Sequence, residues 1–271
     1  MKLASFDIFD TILLRSCGKP EAVFHLLAER LFPNDKDLRE AFVVWRKSTK
    51  GNTLTDVYDK IDSAFLTFAK KNKEEIMKAE EETEEDVLIA NPSVCKLIDQ
   101  RRIEGYNIAF ISDMYLNSQF LRKVLQRNGC CRQEDAIYVS CEHNARKDTG
   151  FLYKVVRNEL RPTEWIHYGD NIRSDIKMAK SKGIRAIHIN TSYNNAERAY
   201  STVSSSMAEF AKQYRLRHKD NEFASFAADF VVPAYLPYVI HVLREARGMG
   251  IRKLYFLSRD SYILMKAAQA L

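Results

Sequence analysis

The sequence lacks the features that would assign it to a fibrous, disordered or repeat class of protein. It contains no low-complexity tract and no internal repeat. Of its 271 residues, 46% are hydrophobic and 29% are charged. This composition is typical of an ordinary soluble globular protein. The length is sufficient for more than one domain, or for one domain with a cap.

A clustered basic stripe with interleaved aromatic residues is also absent, so we do not expect a nucleic-acid partner. The formal net charge of +6 is a mild excess that is spread along the chain. A short basic run at 215–219 is typical of a solvated helix end. A mild positive charge is compatible with attraction of anionic substrates such as phosphate esters.

The five cysteines are odd in number, and their spacing fits neither a disulfide framework nor a zinc site. They are Cys17, Cys95, Cys130, Cys131 and Cys141. Structural disulfides are typical of oxidising compartments. The cysteine pattern therefore predicts a reducing, cytoplasmic location.

No segment has the pattern of a signal peptide or of a membrane span. Asp7 and Asp10 interrupt the only apolar run near the N-terminus. The longest apolar stretch near the end, Phe230 to Val242, is too short to cross a bilayer and contains two prolines. We therefore predict no membrane span, and we expect a buried helix at this stretch.

The order of apolar patterns predicts an α/β protein. A short buried strand, 3–6, is followed by a long helical region, 19–91, which includes a helix over 55–68. After Pro92, helices alternate with short apolar strands at 107–111, 136–139, 165–168 and 185–189. Such alternation favours a Rossmann-like parallel sheet that is covered on both faces.

Three regions follow from these patterns. Residues 1–18 and 92–193 are predicted to form the α/β core, and 19–91 a helical domain inserted after the first strand. Residues 194–271 are predicted to form a mainly helical extension that ends with a strand at 253–257 and a new helix. This ending is typical of the start of a further α/β unit, so we expect a C-terminal domain or partner that completes it.

Polar side chains follow three of the predicted strands at the point where each strand ends. Asp7 follows the first strand, Ser112 ends the second, and Asp170 follows the fourth. Ligands of open α/β sheets bind beyond the carboxyl ends of the strands. A single Asp after a strand is more often a helix N-cap than a catalyst, but three polar residues at strand ends favour a site.

These residues belong to four short segments that together contain the groups needed for phosphoryl transfer. The segments are Phe6–Thr11, Ser112–Tyr115, Arg146–Gly150 and Gly169–Asp175. Phosphoryl transfer needs a nucleophile, positive charge near the phosphoryl oxygens, and a metal ion. Asp7 and Asp170 are candidate Mg²⁺ ligands. Lys147 would neutralise charge, and Thr11 and Ser112 would donate hydrogen bonds to phosphate. Asp175 would support Lys147 or a metal-bound water.

In order and spacing, the four segments resemble the signature motifs of the haloacid dehalogenase-like (HAD) hydrolase superfamily over roughly residues 1–190. The resemblance implies that Asp7 is the nucleophile and that Ser112 and Lys147 represent the second and third motifs. Asp170 and Asp175 represent the acidic fourth motif. The inserted helices correspond in position to a C1-type cap, which closes over the site and selects the substrate. The residues in and around the motifs are also similar to those of a bacterial subgroup of predicted hydrolases that is often linked to surface-polysaccharide gene clusters.

One position departs from the phosphatases of this superfamily. They have an Asp two residues after the nucleophile as general acid and base, and this chain has Phe9. The Phe9 carbonyl can still bind Mg²⁺, but its side chain cannot transfer a proton. General acid–base catalysis typically contributes about 10²–10⁴-fold. Good leaving groups, such as acyl phosphates and phosphoanhydrides, should therefore be affected least.

Three functions follow from these residues. The leading hypothesis is a Mg²⁺-dependent phosphohydrolase or phosphotransferase that acts on a small phosphorylated metabolite through an aspartyl-phosphate. The second is a catalytically weak binding or regulatory domain of a larger polysaccharide-biosynthesis protein. The third, metal-free dehalogenation, is disfavoured by Asp170. Candidate contacts to an anionic substrate are Arg15, Lys19, Arg46 and Lys47, and the segment 258–260 is a weaker candidate anion site.

Overall fold

The computed structural model describes residues 1–202, 204–219 and 221–271 of the chain. It divides them between two compact units, Met1–Thr191 and Ser192–Leu271. The first unit contains all the β-strands of the described residues, and both hydrophobic core clusters lie within it.

A five-stranded, fully parallel sheet forms the centre of the first unit, which confirms the predicted α/β class. The strands of the chain are β1 (Lys2–Phe6), β2 (Leu13–Arg15), β3 (Leu88–Ala90), β4 (Asn107–Ser112), β5 (Ala136–Val139), β6 (Glu164–Gly169) and β7 (Arg185–His188). The parallel sheet has the order β5-β4-β1-β6-β7. Strand β1 is therefore central, with β4 and β6 on either side.

Helices cover both faces of this sheet, as a parallel sheet requires. Apolar residues of β1 point to both faces and are fully buried, among them Leu3, Ala4 and Phe6. The Phe6 ring stacks on the Tyr168 ring of β6 with centroids 4.7 Å apart. Burial on both faces explains why the strands are nearly continuous apolar runs in the sequence.

The helices of the first unit fall into an inserted group and a core group. The inserted helices are α1 (Ala22–Leu31), α2 (Lys36–Ser48), α3 (Leu54–Tyr58), α4 (Ser63–Ala69) and α5 (Lys73–Val87). The core helices are α6 (Pro92–Ile103), α7 (Ser118–Arg127), α8 (Ser140–His143), α9 (Phe151–Leu160), a π-helical turn (Ile172–Met178) and α10 (Ala179–Ser181). The π-helical turn follows β6 directly, beside Asp170.

A two-stranded antiparallel ribbon joins the two ends of the inserted helices. Strand β2 leads into the insert and pairs with β3, which leads out of it. The sequence pattern did not predict this ribbon, because three-residue strands are too short to show an alternating pattern. The ribbon fixes where the insert begins and ends relative to β1.

The single helix predicted over 55–68 is wrong, because the chain forms two helices there. Helix α3 ends at Tyr58, and Asp62 then accepts a hydrogen bond from Ala64 N at 2.8 Å and caps α4. The apolar residues of both helices fit one helical period, which is why the pattern did not reveal the break.

The second unit is mainly helical, as predicted. Its helices are α11 (Asn195–Ser201), α12 (Ser205–Arg217), α13 (Glu222–Phe226), a π-helical turn (Ala227–Val231), α14 (Val232–Gly248) and α15 (Tyr262–Ala270). The predicted strand at 253–257 is wrong, since 251–257 has no regular structure and the described residues of this unit contain no strand with which it could pair. The segment 258–260 forms an exposed turn instead of following a strand.

The helix expected to be buried near the end is longer and more exposed than predicted. Helical residues continue through Glu222–Gly248, a run of 27 residues whose most apolar window has a mean hydropathy of 1.5 and is only 11% buried. The apolar stretch in the sequence is shorter because Asp229 and Arg244 bound it, whereas the helix continues past both residues and through Pro237. By length and composition alone this helix could cross a membrane, which is weak evidence from a single helix.

The structure also joins Cys95 and Cys130 in a disulfide, with Cα atoms 5.4 Å apart. The remaining thiols are those of Cys17, Cys131 and Cys141. The spacing of the cysteines did not reveal this pair, because 35 residues separate them and the fold brings the loop after α7 to α6, where Arg102 donates to the Cys130 carbonyl at 3.2 Å. The cytoplasmic location stays a prediction.

Candidate active site

Three neighbouring strands deliver polar side chains to one edge of the parallel sheet. β4, β1 and β6 lie side by side, so Ser112, Asp7 and Asp170 meet beyond their carboxyl ends. The Asp7 backbone N–H donates to the Tyr168 carbonyl at 2.8 Å, which continues the β1–β6 pairing up to the site. All three residues line a cavity of about 540 Å³.

Lys147 connects two of the acidic residues. Its Nζ donates to Asp7 Oδ1 at 2.5 Å and to Asp175 Oδ1 at 2.7 Å. The Asp113 carboxylate accepts the Lys147 backbone N–H at 2.8 and 3.1 Å, and so holds the backbone from which this side chain extends. Lys147 is 3% exposed, so its charge interacts with these carboxylates with little screening by water.

Asp175 is fixed by several donors. The Asn171 backbone N–H donates to Asp175 Oδ2 at 3.0 Å, and His167 Nε2 lies 3.3 Å from Oδ1. Gly169 permits this arrangement, because a Cβ at that position would lie 2.5 Å from the Asp175 carboxyl carbon. Any larger residue at 169 would displace the carboxylate, so this glycine is required by the close approach of the side chain.

The Thr11 hydroxyl bridges the carboxylates of Asp7 and Asp170. Its hydroxyl lies 3.2 Å from Asp170 Oδ1 and 3.4 Å from Asp7 Oδ2. The preceding residue, Asp10, adopts a left-handed conformation with φ of 57°, which turns the loop back after Asp7. This turn brings Thr11 under the two acidic residues.

Burial and mutual repulsion dominate the electrostatics of the site. Burial raises the pKa of Asp7 well above its ordinary value, although Lys147 opposes this effect. Burial, and then the charge of Asp10, raise the pKa of Asp170. For Asp175, burial is outweighed by Lys147 and His167, which lower its pKa. Burial also disfavours charge on Lys147, but Asp7 and Asp175 outweigh it and raise the pKa of the ammonium.

These carboxylates form a cluster that could hold a metal ion. One oxygen each of Asp7, Asp170 and Asp175 lies within 4.8 Å of the others. An all-oxygen donor set suits a hard divalent cation such as Mg²⁺. Asp175 accepts from Lys147 and Asn171 and lies beside His167, Asp7 accepts from Lys147 and Thr11, and Asp170 accepts from Thr11, so Asp170 has the most free acceptor capacity. Burial raises the pKa of the Asp7 and Asp170 carboxyl groups, and a cation bound between them would favour their ionised forms.

Position 9 contributes an aromatic ring to the cavity in place of a carboxylate. The Arg15 guanidinium lies 4.6 Å from the centroid of the Phe9 ring. Arg15 in turn donates to Glu84 at 3.1 and 3.3 Å, and both are buried. Among the described cavity residues, Asp10, Glu84, Asp113 and Asp148 are further carboxylates.

The four basic residues predicted to contact substrate differ in their surroundings. Arg15 lines this cavity but is neutralised by Glu84. Arg46 is buried and pairs with Glu80 at 2.6 Å. Lys47 is exposed, and Lys19 is exposed and lines none of the described cavities. The structure therefore does not bring Lys19 to the site.

Sequence patterns did not identify three residues that hold the site together. Asp113 directly follows Ser112 and could have been found from that position. His167 lies within β6 and had no distinguishing signal, because its role depends on Asp175 being opposite. Glu84 belongs to an acidic run that is typical of a solvated helix face, yet its carboxylate is 1% exposed.

Comparison with known proteins gives distant structural likeness only. No protein-family model and no curated protein matches the chain. An HAD phosphatase from Thermococcus onnurineus is 22% identical, with a TM-score of 0.47 over 72% of this chain and 89% of its own. An HAD-family enzyme from Bacteroides thetaiotaomicron, in complex with magnesium and inorganic phosphate, is 14% identical, with a TM-score of 0.49 over 72% and 97%.

A third solved structure, a putative HAD-hydrolase from Bacillus subtilis bound to magnesium, is 18% identical, with a TM-score of 0.45 over 71% of this chain and 90% of its own. At these identities and TM-scores the likeness is distant, and the chemistry of this chain rests on its own side chains.

Proposed function

We propose that the protein is a Mg²⁺-dependent phosphohydrolase or phosphotransferase of the HAD type, with Asp7 as the nucleophile. The observation that supports this most strongly is the ion-paired arrangement Asp7–Lys147–Asp175, beside Asp170 at the next strand end. A buried lysine between two carboxylates is a costly arrangement that a fold does not need for stability. It is well suited to bind a phosphoryl group above Asp7.

Each side chain has a role in this proposal. An Asp7 oxygen attacks phosphorus, the leaving group departs with the electrons of the P–O bond, and an aspartyl-phosphate forms. Lys147 and the hydroxyls of Ser112 and Thr11 stabilise the phosphoryl oxygens. Asp175 holds Lys147 in place. Water or another acceptor then attacks phosphorus and releases Asp7.

The metal would be held by the Asp7 and Asp170 carboxylates together with the Phe9 carbonyl. When bound, Mg²⁺ supplies positive charge that offsets the negative charge of the phosphoryl oxygens. The raised pKa values of Asp7 and Asp170 are consistent with this assignment, because a divalent cation favours their ionised forms.

The leaving group restricts the substrate. Phe9 offers no proton to a departing alkoxide, and Arg15 beside it is already paired with Glu84. Substrates whose leaving groups are stable as anions, such as acyl phosphates and phosphoanhydrides, should therefore react faster than simple sugar phosphates. Within this proposal, 19–91 acts as a C1-type cap on a core formed by 1–18 and 92–193, and 194–271 is an extension.

The proposal is tested by a phosphatase screen with Mg²⁺ that includes acyl phosphates, phosphoanhydrides and sugar phosphates. We expect turnover by the wild type, loss of at least about a thousandfold in Asp7→Asn, and loss of activity when EDTA removes the metal. Asp99→Asn is a matched control, because Asp99 is an exposed carboxylate of the same compact unit that lines none of the described cavities.

Turnover that is unchanged in Asp7→Asn would exclude Asp7 as the nucleophile. No turnover across the panel, together with Mg²⁺-dependent binding of a phosphosugar, would favour the second hypothesis, a binding or regulatory domain. That hypothesis draws its support from Phe9. The link to surface-polysaccharide synthesis stays a prediction.

A further inference from the structure

A second cavity of about 840 Å³ adjoins the first and is lined by a different set of residues. The two cavities share three lining residues, Phe24, Tyr115 and Arg146. Apart from Tyr115 and Arg146, the second cavity is lined by the inserted helices and by the loop between α2 and α3. A substrate whose phosphoryl group lies at Asp7 can therefore extend past these shared residues into the second cavity.

The wall between the cavities is rigid and aromatic. The Arg46 guanidinium lies 4.4 Å from the Phe24 ring centroid and 5.1 Å from the Tyr115 ring centroid. Glu80 holds Arg46 through two hydrogen bonds of 2.6 and 2.8 Å, and it also accepts from the Tyr115 hydroxyl at 2.9 Å. Arg46 is therefore neutralised and fixed, and it serves as part of the wall.

The cations that face the second cavity exceed the available anions. Lys50 and Lys60 line it, and neither forms an ion pair with a carboxylate among the described residues, whereas Arg146 pairs with Asp148 at 3.2 Å. The acidic lining residues are already engaged, and Glu21 pairs with Lys47 of the same lining at 3.9 Å. Asp59 pairs with Lys73 at 2.6 Å, and Asp56 accepts the Thr53 backbone N–H at 3.0 Å as part of a helix cap.

The loop that holds Lys50 is fixed in position. A Cβ at Gly51 would lie 2.8 Å from the Val57 backbone nitrogen, so the loop packs directly against α3. The Lys60 ammonium donates to the Lys50 carbonyl, which ties the loop to the segment that follows the same helix. Lys50 therefore lines the cavity from a backbone that is restrained on both sides.

We propose that the second cavity binds a second anionic group of the substrate, so that the protein acts on phosphorylated substrates with a further phosphate or carboxylate at their far end. This inference rests on the reaction proposed at Asp7 and names its substrate class. The reacting phosphoryl group occupies the acidic, metal-binding cavity, the middle of the molecule lies along Phe24 and Tyr115, and Lys50 and Lys60 receive the distal anion.

Binding of non-hydrolysable phosphonates to the wild-type protein with Mg²⁺ tests this inference by calorimetry. The probes are alkane-α,ω-bisphosphonates with three to eight carbons, the matching alkyl monophosphonates, and ω-phosphonocarboxylates. At the best length, we expect the bisphosphonate or the phosphonocarboxylate to bind about tenfold more tightly than the monophosphonate, as one charge-assisted hydrogen bond allows. A preference for either second anion supports the proposal and identifies the distal group.

Two variants test whether Lys50 causes the preference for the doubly anionic probe. Lys50→Ala should reduce the preference for the doubly anionic probe to about threefold or less, and Lys50→Arg should keep it. Lys78→Ala is the matched control, because Lys78 is an exposed lysine of the same insert that lines neither cavity. Equal affinity for singly and doubly anionic probes at every length would overturn the proposal, as would equal losses in Lys50→Ala and Lys78→Ala.

The same measurements separate this inference from the proposed function. If the monophosphonate shows Mg²⁺-dependent binding but no doubly anionic probe binds more tightly, the second cavity is not an anion site and the reaction at Asp7 is unaffected. If no probe binds in a Mg²⁺-dependent manner and the wild type hydrolyses nothing in the phosphatase screen, the proposed function itself fails.

Discussion

The residue at position 9 determines whether the proposed reaction can use leaving groups that need a proton to depart. The Phe9 ring lines the cavity and lies against the Arg15 guanidinium, so a carboxylate at this position would face the same cavity. Phe9→Asp should therefore raise kcat for sugar phosphates. We expect a rise of about tenfold, below the ~10²–10⁴-fold typical of general acid–base catalysis, because the nearby Arg15 would lower the pKa of the new carboxyl group and leave less of it protonated to donate a proton.

Steady-state kinetics with one sugar phosphate and one acyl phosphate measure this change. Phe9→Leu is the control, because it removes the ring without adding a carboxylate. The acyl phosphate should gain less than the sugar phosphate, since its leaving group needs no proton. If Phe9→Asp hydrolyses sugar phosphate no faster than Phe9→Leu, position 9 does not limit the reaction.

His167 should make the stability of the protein depend on pH. It is fully buried, with Nδ1 2.8 Å from Ser5 Oγ, and burial lowers its pKa below the ordinary value. Below pH ~6.5 the unfolded chain binds a proton at this histidine that the folded protein does not, so the free energy of unfolding falls with decreasing pH. The loss has an upper limit of about 1.4 kcal/mol per pH unit.

Urea unfolding of wild type and His167→Gln between pH 7.5 and 5.5 measures this contribution. The variant should lose less free energy of unfolding over that range than the wild type. His25→Gln, at an exposed position, should follow the wild-type curve. Parallel curves for wild type and His167→Gln would contradict the prediction.

At the scale of elements, a buried charge network joins the inserted helices to one another. Arg46 of α2 pairs with Glu80 of α5, and the hydroxyls of Tyr58 and Tyr115 both donate to the same Glu80 carboxylate. Arg46 is 3% exposed and Glu80 is fully buried. Removal of one charge would leave the other buried and unpaired, which costs about 3–5 kcal/mol.

A double-mutant cycle tests this network by urea denaturation. Glu80→Gln and Arg46→Met should each lower the free energy of unfolding by about 3 kcal/mol or more, and the double variant should lose clearly less than the sum of the two. Glu82→Gln, on the same helix but exposed, should change it by less than about 0.5 kcal/mol. Additive losses would show that the two charges do not depend on each other.

The elements that the sequence predicted well are those with a long or fully buried apolar pattern. Strand β1 and the alternating strands and helices after Pro92 belong to this group, and their ends predicted which polar residues meet. The ribbon of β2 and β3 could not be predicted, because three residues define no period. The break after Tyr58 depends on one cap at Asp62 inside a continuous apolar pattern.

The site could be predicted in part for the same reason. Strand order places Asp7 between Ser112 and Asp170. The alternation of strands and helices predicted the parallel sheet and the edge at which these residues lie, but it does not encode the order of the strands. Some contacts of Lys147 depend on loop conformations, which leave no periodic pattern in the sequence. One example is the Asp113 carboxylate, which accepts the Lys147 backbone N–H. The neutralisation of Arg15 and Arg46 likewise required knowing which acidic residues of α5 face inward.

At the scale of the whole molecule, the two compact units differ in what they bury. Every residue of the proposed site and of both core clusters lies within Met1–Thr191. A fragment of residues 1–191 should therefore fold cooperatively, keep the Mg²⁺-dependent turnover of the whole chain within about threefold, and gain thermal stability from Mg²⁺ as a ligand of the native state. Asp170→Asn in the same fragment should lose the response to Mg²⁺.

The second unit should behave differently when it is produced alone. Large apolar side chains of Ser192–Leu271 are strongly exposed, among them Phe223 at 88%, Tyr255 at 88% and Leu257 at 83%. Exposed apolar surface of this kind promotes association. We expect residues 192–271 to self-associate in light scattering at concentrations where 1–191 is monodisperse. Substitution of Phe223, Tyr255 and Leu257 by Ser should reduce that association, and an unchanged particle size would show that these side chains do not drive it.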